Sequence, residues 1–389
     1  MAGNPKIHRN IYLLGIVSFI NDTASKMILP ILPLFIQSMG GGGLAFGLVD
    51  GIGEAVAAIF KIFSGNLSDR LGKRKPFVFF GYLFASISKL LLAFASSWPL
   101  VLVLRSCERL GKGARESPRD ALIAESTSIE NRGAGFGIHR AFDSGGAVLG
   151  SALALVLYWL FGFSFAAIFL VAGIISFVSI APLFAVREKK AKVKTASLKI
   201  GFSALPKNLQ AFILVATIFA FANFSYMFFV MGSSMPLPAG LAVVVPIALY
   251  ALYNLVSAVF AVPAGILSDK IGRKKVLIAG YSLFSLTCAG FIFLDSPWAF
   301  AVLFFVYGLF FAFVDATEKA LVSDLARPEL KGTALGTFQA FTGIASLPAG
   351  IIAGLLWDSF GHVSVFAYGA AVSFFAVALL AAFSAKRLL

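Results

Sequence analysis

Charge is scarce in this chain of 389 residues: only 13% are Asp, Glu, Lys or Arg, while 59% are hydrophobic. A soluble domain carries about 25% charged residues, so this composition excludes a water-soluble fold. Cysteine and histidine are scarcer still. Cys107 and Cys288 stand in separate apolar runs, which excludes a disulfide framework or a paired-cysteine metal site. The three histidines form no HExxH pair, there is no phosphate-cradling glycine loop, and Ser, His and Asp are not gathered into a nucleophile and base. No metal, no cofactor and no enzymatic activity are therefore expected.

What the chain does contain is 42 Phe, 37 Gly and repeated unbroken apolar runs. A run of roughly 20 residues crosses a hydrocarbon core as a helix. Backbone in lipid must bond within its own helix or in a closed barrel, and these runs lack the alternation of a barrel strand. The class is an all-α integral membrane protein. A net charge of +14 raises nucleic acid as a partner, but position argues against it. The Lys and Arg residues gather in every second loop, the positive-inside pattern, and the lipid bilayer is the expected surrounding. The apolar stretch after Lys6, His8 and Arg9 runs past Pro30 and Pro33 without a small-residue cleavage site, and reads as a retained first helix.

Twelve spans are predicted, over 11–36, 44–67, 77–95, 99–124, 133–159 and 163–186, then 208–231, 240–266, 276–294, 297–325, 333–357 and 362–385. The even-numbered connections hold Arg70, Lys73, Arg74 and Lys75, then Arg132, the stretch 187–207, Lys270 to Lys275, and Arg327 with Lys331. Both termini are thereby expected in the cytoplasm, with the protein in the cytoplasmic (inner) membrane. The Lys-rich stretch 187–207 reads as a cytoplasmic linker between an N-terminal bundle, 1–186, and a C-terminal bundle, 208–389. The halves are repeats. Gly65, Leu67, Ser68, Asp69, Arg70, Gly72, Lys73, Arg74 and Lys75 return 200 residues later as Gly265, Leu267, Ser268, Asp269, Lys270, Gly272, Arg273, Lys274 and Lys275. Arg132-Gly-Ala-Gly-Phe-Gly and Lys331-Gly-Thr-Ala-Leu-Gly match at an offset of 199. Parallel repeats of this kind are a known transporter plan.

The first of these segments resembles the loop 2–3 signature of the major facilitator superfamily, and its echo falls in loop 8–9. The resemblance spans the chain and implies two six-helix bundles related by a pseudo-two-fold axis, working as a monomer on a small-molecule substrate. It also implies that Gly65, Asp69, Arg70, Gly72, Lys73 and Arg74 form a conformational gate, with Asp269 and Arg273 a second latch. In physical terms Gly65 and Gly72 suit a tight turn at a helix end, and Asp69 can accept bonds from free helix-start amides. On the fourth helix Arg105, Glu108, Arg109 and Lys112 follow i, i+3, i+4, i+7 spacing and share one face, which must look inward because a charge in the bilayer costs at least roughly 2.5 kcal/mol. Pro118 is expected to kink or end that helix. The glycines of the fifth helix resemble the superfamily's antiporter signature in part, but also suit close helix packing.

Helical rise places Asp22 and Lys26, Glu54, Arg105, Glu108 and Arg109, and Asp143 in the middle of the membrane. The second half offers Asp315, Glu318 and Lys319 there, beside the neutral groups Asn223, Tyr226, Tyr250, Tyr253, Asn254 and Gln339. Resemblance to members with the same imbalance implies ion coupling in the first half and an aromatic substrate wall in the second. Asp22, Glu54, Glu108 and Asp143 are the candidate proton carriers, against static ion pairs that merely hold helices together. Lys26, Arg105, Arg109 and the six neutral groups are the candidate cavity residues. His139 is read as a hydrogen-bonded packing histidine. The leading function is proton-coupled efflux of drugs or metabolites by alternating access. Glu108 to Ala124 also resembles a bacterial and archaeal branch related to nickel-resistance and siderophore-export permeases, which makes a metal or siderophore exporter one alternative. An importer of an anionic metabolite is another, resting on Arg105, Arg109 and Lys112. A non-transporting receptor or scaffold is the rival from a different class.

Overall fold

A computed structural model describes residues 9–127, 132–188, 202–327 and 330–385. Among these every regular element is helical. The first six spans are built from α1 (Arg9–Ile28) with α2 (Leu32–Ser38), α3 (Gly43–Leu71), α4 (Lys75–Leu92), α5 (Trp98–Glu125), α6 (Arg132–Trp159) and α7 (Phe165–Val178). The second six are α8 (Lys207–Ala222) with α9 (Tyr226–Ser234), α10 (Val244–Ile271), α11 (Arg273–Phe293), α12 (Pro297–Leu325), α13 (Lys331–Phe360) and α14 (His362–Ala385). Eleven of these spans are long and apolar enough to cross a membrane. The twelfth, α5, has the length but carries the charges that sequence assigns to an inward face. Phe80, Phe94, Trp298 and Phe374 stand outward and exposed, an arrangement suited to lipid and costly in water.

Four boundaries differ from the sequence reading. Span one breaks at 29–31, where Pro30 removes an amide and crowds the preceding turn. Span seven breaks at Asn223, after which the Ser225 hydroxyl accepts the Met227 amide and starts α9. The sixth span closes with a 3₁₀ turn over Ala181–Ala185. Finally, α5 neither ends nor restarts at Pro118 but runs on to Glu125, because a single missing amide is tolerated where the surrounding helix is well packed. Most of the basic linker, 189–201, lies outside the described residues.

Packing divides the chain into unit 1, Met1–Ile31 with Val56–Ser197, and unit 2, Leu32–Ala55 with Leu198–Leu389. Unit 1 is assembled through glycine. Gly146 and Gly150 of α6 abut the backbone of Phe19 and Thr23 on α1, so close that a Cβ would collide. A Cβ on Gly111 of α5 would fall 2.6 Å from the Gly81 carbonyl of α4, and one on Gly173 of α7 would fall 2.6 Å from Leu90 Cα. With no hydrophobic drive between helices in lipid, such small-residue contacts supply the association. Gly145, Gly146 and Gly150 of the fifth span thus pack against α1.

Unit 2 is held by aromatic rings. Phe219 stacks on Tyr281 at 3.7 Å, and Phe229, Phe284, Phe291, Phe310 and Phe366 continue the cluster. The first half of α3 also packs here. The Asp358 carboxylate at the end of α13 accepts from the Gly43 and Leu44 amides at 2.7 and 2.8 Å, capping the start of α3.

Candidate functional site

Unit 1 encloses a polar cluster to which five helices contribute. On α5, Arg105 and Glu108 are both buried and ion-paired one turn apart. Lys89 of α4 is wholly buried and donates to Asn21 Oδ1 of α1 at 2.8 Å and to Ser176 Oγ of α7 at 3.3 Å, with Glu108 Oε1 at 3.9 Å. Ser176 also bonds Ser86 of α4 at 2.8 Å. Asn21 donates to Asp22 at 3.3 Å, so one amide side chain links Asp22 to Lys89. Two helices, α1 and α7, therefore converge on Lys89 of α4 through hydrogen bonds, and a third, α5, through charge.

A second group of bonds centres on Ser18 of α1. Its hydroxyl lies 3.1 Å from Tyr82 Oη, 2.9 Å from His139 Nε2, and accepts from Arg119 at 3.3 Å. His139 Nδ1 is 3.4 Å from the Asp143 carboxylate, and Arg119 pairs with Asp120 at 3.0 Å. The Arg115 guanidinium sits 4.3 Å from the centre of the Tyr82 ring, a cation–π contact. Burial makes the bonds of Ser18 to Tyr82 and His139 costly to leave unmade. Two atoms are nonetheless left unmet among the buried side chains of this cluster, Arg105 Nε and Asp143 Oδ1.

Of the expected site residues, Asp22, Arg105, Glu108 and Asp143 thus belong to the cluster. Arg109 and Lys112 are only half-buried; the buried stripe of α5 runs instead through Leu104, Arg105, Glu108, Gly111, Arg115 and Pro118. Lys26 stands half-buried in the last turn of α1. Glu54 stands on the segment that groups with unit 2. Sequence reasoning missed Lys89, Asn21, Ser176, Ser18, Tyr82 and Arg115. Lys89 was detectable as the one Lys or Arg within the apolar run 77–95, whereas serine and tyrosine carry no such signal.

In unit 2 the neutral candidates form an aromatic row. Tyr226, Tyr250 and Tyr253 succeed one another at 5.4 and 5.2 Å, and Tyr253 continues to Tyr307 at 5.2 Å. Asn254 donates back to the Tyr250 carbonyl at 2.8 Å, while Asn223 forms the break after α8 and Gln339 is half-buried on α13. Tyr307 was not expected from sequence.

The repeated loops form matching ion pairs. Arg74 bridges Asp69 and Glu125, both at 2.8 Å, and Arg273 bridges Asp269 at 2.9 Å and Asp324 at 2.5 Å. Gly72 and Gly272 turn with φ of 60° and 97°, the left-handed region that glycine enters freely. Gly65, by contrast, lies inside α3, where a Cβ would meet Ser117 Oγ at 2.5 Å. Asp69 does not take up the α4 amides; Glu188 accepts from the amides of Arg74 and Lys75. Arg70 and Lys73 are exposed.

A sequence model described as the Major Facilitator Superfamily matches residues 14–246 and 239–387. An uncharacterized MFS-type transporter of Methanocaldococcus jannaschii is 44% identical, covering 96% of this chain and 95% of that protein. The multidrug resistance protein MdtG of Dickeya zeae is 24% identical over 94% of this chain and 91% of its own length. Among solved structures, the nucleoside transporter NupG superposes with a TM-score of 0.77 at 16% identity, covering 97% of this chain and 98% of that one.

Proposed function

This chain belongs to the Major Facilitator Superfamily and is a multi-pass membrane protein of that transporter family; from that premise we propose that it exports small, partly apolar compounds in exchange for protons. The reading rests above all on the buried ionic cluster of unit 1. Charges at membrane depth are expensive and mark substrate or ion pathways, and this cluster joins α1, α4, α5, α6 and α7 through bonds that can exchange partners. Asp22 and Asp143 are the carboxylates best suited to take up and release a proton. Asp22 is tied to the network by one amide bond at 3.3 Å, and Asp143 keeps an oxygen unmet, whereas Glu108 is held in an ion pair with Arg105. Glu54 remains a carrier candidate on the other unit.

The tyrosine row of unit 2 supplies flat, amphipathic surface for a partly apolar solute. Alternating access would then be gated by the Arg74 and Arg273 ion pairs on the cytoplasmic side, with the protein monomeric and both termini cytoplasmic. An importer of an anionic metabolite needs cations in excess of carboxylates. Among the side chains bonded in the cluster described above, Lys89, Arg105, Arg115 and Arg119 stand beside Asp22, Glu108, Asp120 and Asp143, which leaves this core little net charge to offer an anionic solute. The likeness to a multidrug resistance protein supports drug-like compounds as the solute.

The test is reconstitution in proteoliposomes with an imposed pH gradient and ethidium as probe. Wild type should move ethidium against its gradient when the acceptor side is acidic, and Asp22→Asn should retain downhill movement while losing the pH-driven component. Unaltered pH-driven transport in Asp22→Asn, Asp143→Asn and Glu54→Gln would remove the assignment of the carrier.

A further inference from the structure

We propose that Glu318 and Tyr281 form a separate proton-binding site within unit 2. Tyr281 of α11 is wholly buried, and its hydroxyl lies 2.6 Å from Glu318 Oε1 of α12. Phe219 stacks on the tyrosine ring with its plane 1° from parallel, and Phe284 and Phe310 close over Phe219, so the phenol is fixed in place. Glu318 lies seven residues, or about 10 Å of helix, inside the end of α12. A carboxyl at such depth needs an explanation other than solubility.

The repeat sharpens the point. Tyr82 and Tyr281 occupy corresponding positions 199 residues apart, and at the same offset Arg119 corresponds to Glu318 and Asp120 to Lys319. Evolution of the two halves has kept the tyrosine and inverted the charges beside it. In unit 1 the arginine is neutralised by Asp120. In unit 2 the adjoining cation, Lys319, is engaged by Asp315 at 2.7 Å, and among the described residues no cation pairs with Glu318. The other charged residues of the helices packed on α12 stand near helix ends: Lys207 on α8, Asp269 and Lys270 on α10, Arg273, Lys274 and Lys275 on α11, and Lys331 and Asp358 on α13.

A phenol suits a carboxyl that changes protonation state. It donates to the carboxylate, and it accepts from the carboxylic acid, so the 2.6 Å bond survives in both. The step is uptake of one proton from water by the carboxylate to give the neutral acid, with no other bond made or broken. A lysine or arginine partner would instead hold the ionised form, as Arg105 and Lys89 hold Glu108. That the proton bound here is coupled to transport rests on the function proposed above; that Glu318 binds it does not.

Infrared titration of the purified protein in lipid nanodiscs separates the two. Wild type should show a carboxylic acid C=O band that converts to carboxylate bands as pH rises, and the isosteric Glu318→Gln should lack that component. Tyr281→Phe should keep the band and shift its frequency, since the hydrogen bond is lost while the acid remains. A wild-type spectrum and a Glu318→Gln spectrum with identical titrating bands would overturn the site, as would a Tyr281→Phe band at the wild-type frequency. Loss of the band in Glu318→Gln, together with wild-type transport indifferent to a pH gradient, would leave this site standing and sink the exchange reading.

Discussion

Replacing Glu108 by alanine removes the one carboxylate that lies against both Arg105 and Lys89. Both cations are buried, Lys89 completely, and Arg105 already has one nitrogen without a partner. Removing one member of a buried pair costs roughly 3–5 kcal/mol, because the remaining charge is left uncompensated. Glutamine preserves volume and an acceptor but not the charge, so Glu108→Gln also leaves both cations uncompensated and recovers only a neutral hydrogen bond of about 0.5–1.5 kcal/mol, for a loss of roughly 2–4 kcal/mol. Domains of 150–250 residues, a range that includes unit 1, lose about 2–4 °C of Tm per kcal/mol. The expected losses are then roughly 6–20 °C for alanine and roughly 4–16 °C for glutamine. Thermal unfolding in detergent, followed by tryptophan fluorescence and by a thiol dye at Cys288, reads both. No loss of Tm in either variant would refute the view that Glu108 neutralises this pair.

Lys89→Met should destabilise by less than Glu108→Ala, since Glu108 keeps Arg105; the order of the two midpoints in the same thermal assay checks it. Arg74→Ala breaks two partly exposed ion pairs worth roughly 0–1 kcal/mol each, so Tm should barely move while the initial rate of transport falls at least several-fold. Gly111→Ala places a Cβ 2.6 Å from the Gly81 carbonyl and should cost roughly 1–3 kcal/mol, whereas Gly133→Ala, with nothing within 4 Å, should be neutral or stabilising by up to about 1 kcal/mol. Equal midpoints for these two variants would contradict the close helix contacts of unit 1.

Span count, repeat and family were legible because they rest on long-range regularities: apolar length, the period of basic loops, and two matches at nearly one offset. Breaks within spans were less so. Pro30 and Pro118 are the same residue in similar runs, yet the helix breaks around Pro30 and passes through Pro118. The difference lies in tertiary packing, which one sequence window does not contain. Likewise Arg105, Glu108 and Asp143 could be placed from their cost in a bilayer, and Arg109 shared their periodicity. The three-dimensional stripe instead skips Arg109 for Gly111 and Arg115, because α4 approaches α5 at the Gly81 and Gly111 contact and draws that face inward.

The imbalance between halves also changes meaning once structure is added. Counted along the sequence, the mid-membrane layer of the first half holds Asp22, Lys26, Glu54, Arg105, Glu108, Arg109 and Asp143, against Asp315, Glu318 and Lys319 in the second. Compared position by position, both halves keep a tyrosine at the same place, at residues 82 and 281, and a bridging arginine between two carboxylates at the repeated loop. Duplication thus preserved the parts that set helix position, and divergence fell on the groups beside Tyr82 and Tyr281. Ser18, His139 and Arg119 gather at the first, and among the described residues Glu318 alone hydrogen-bonds the second. A pair of homologous bundles with unlike polar interiors can respond differently to one ligand, and that difference is what an exchanger requires: a ligand shifts a conformational equilibrium only through unequal affinity for its states.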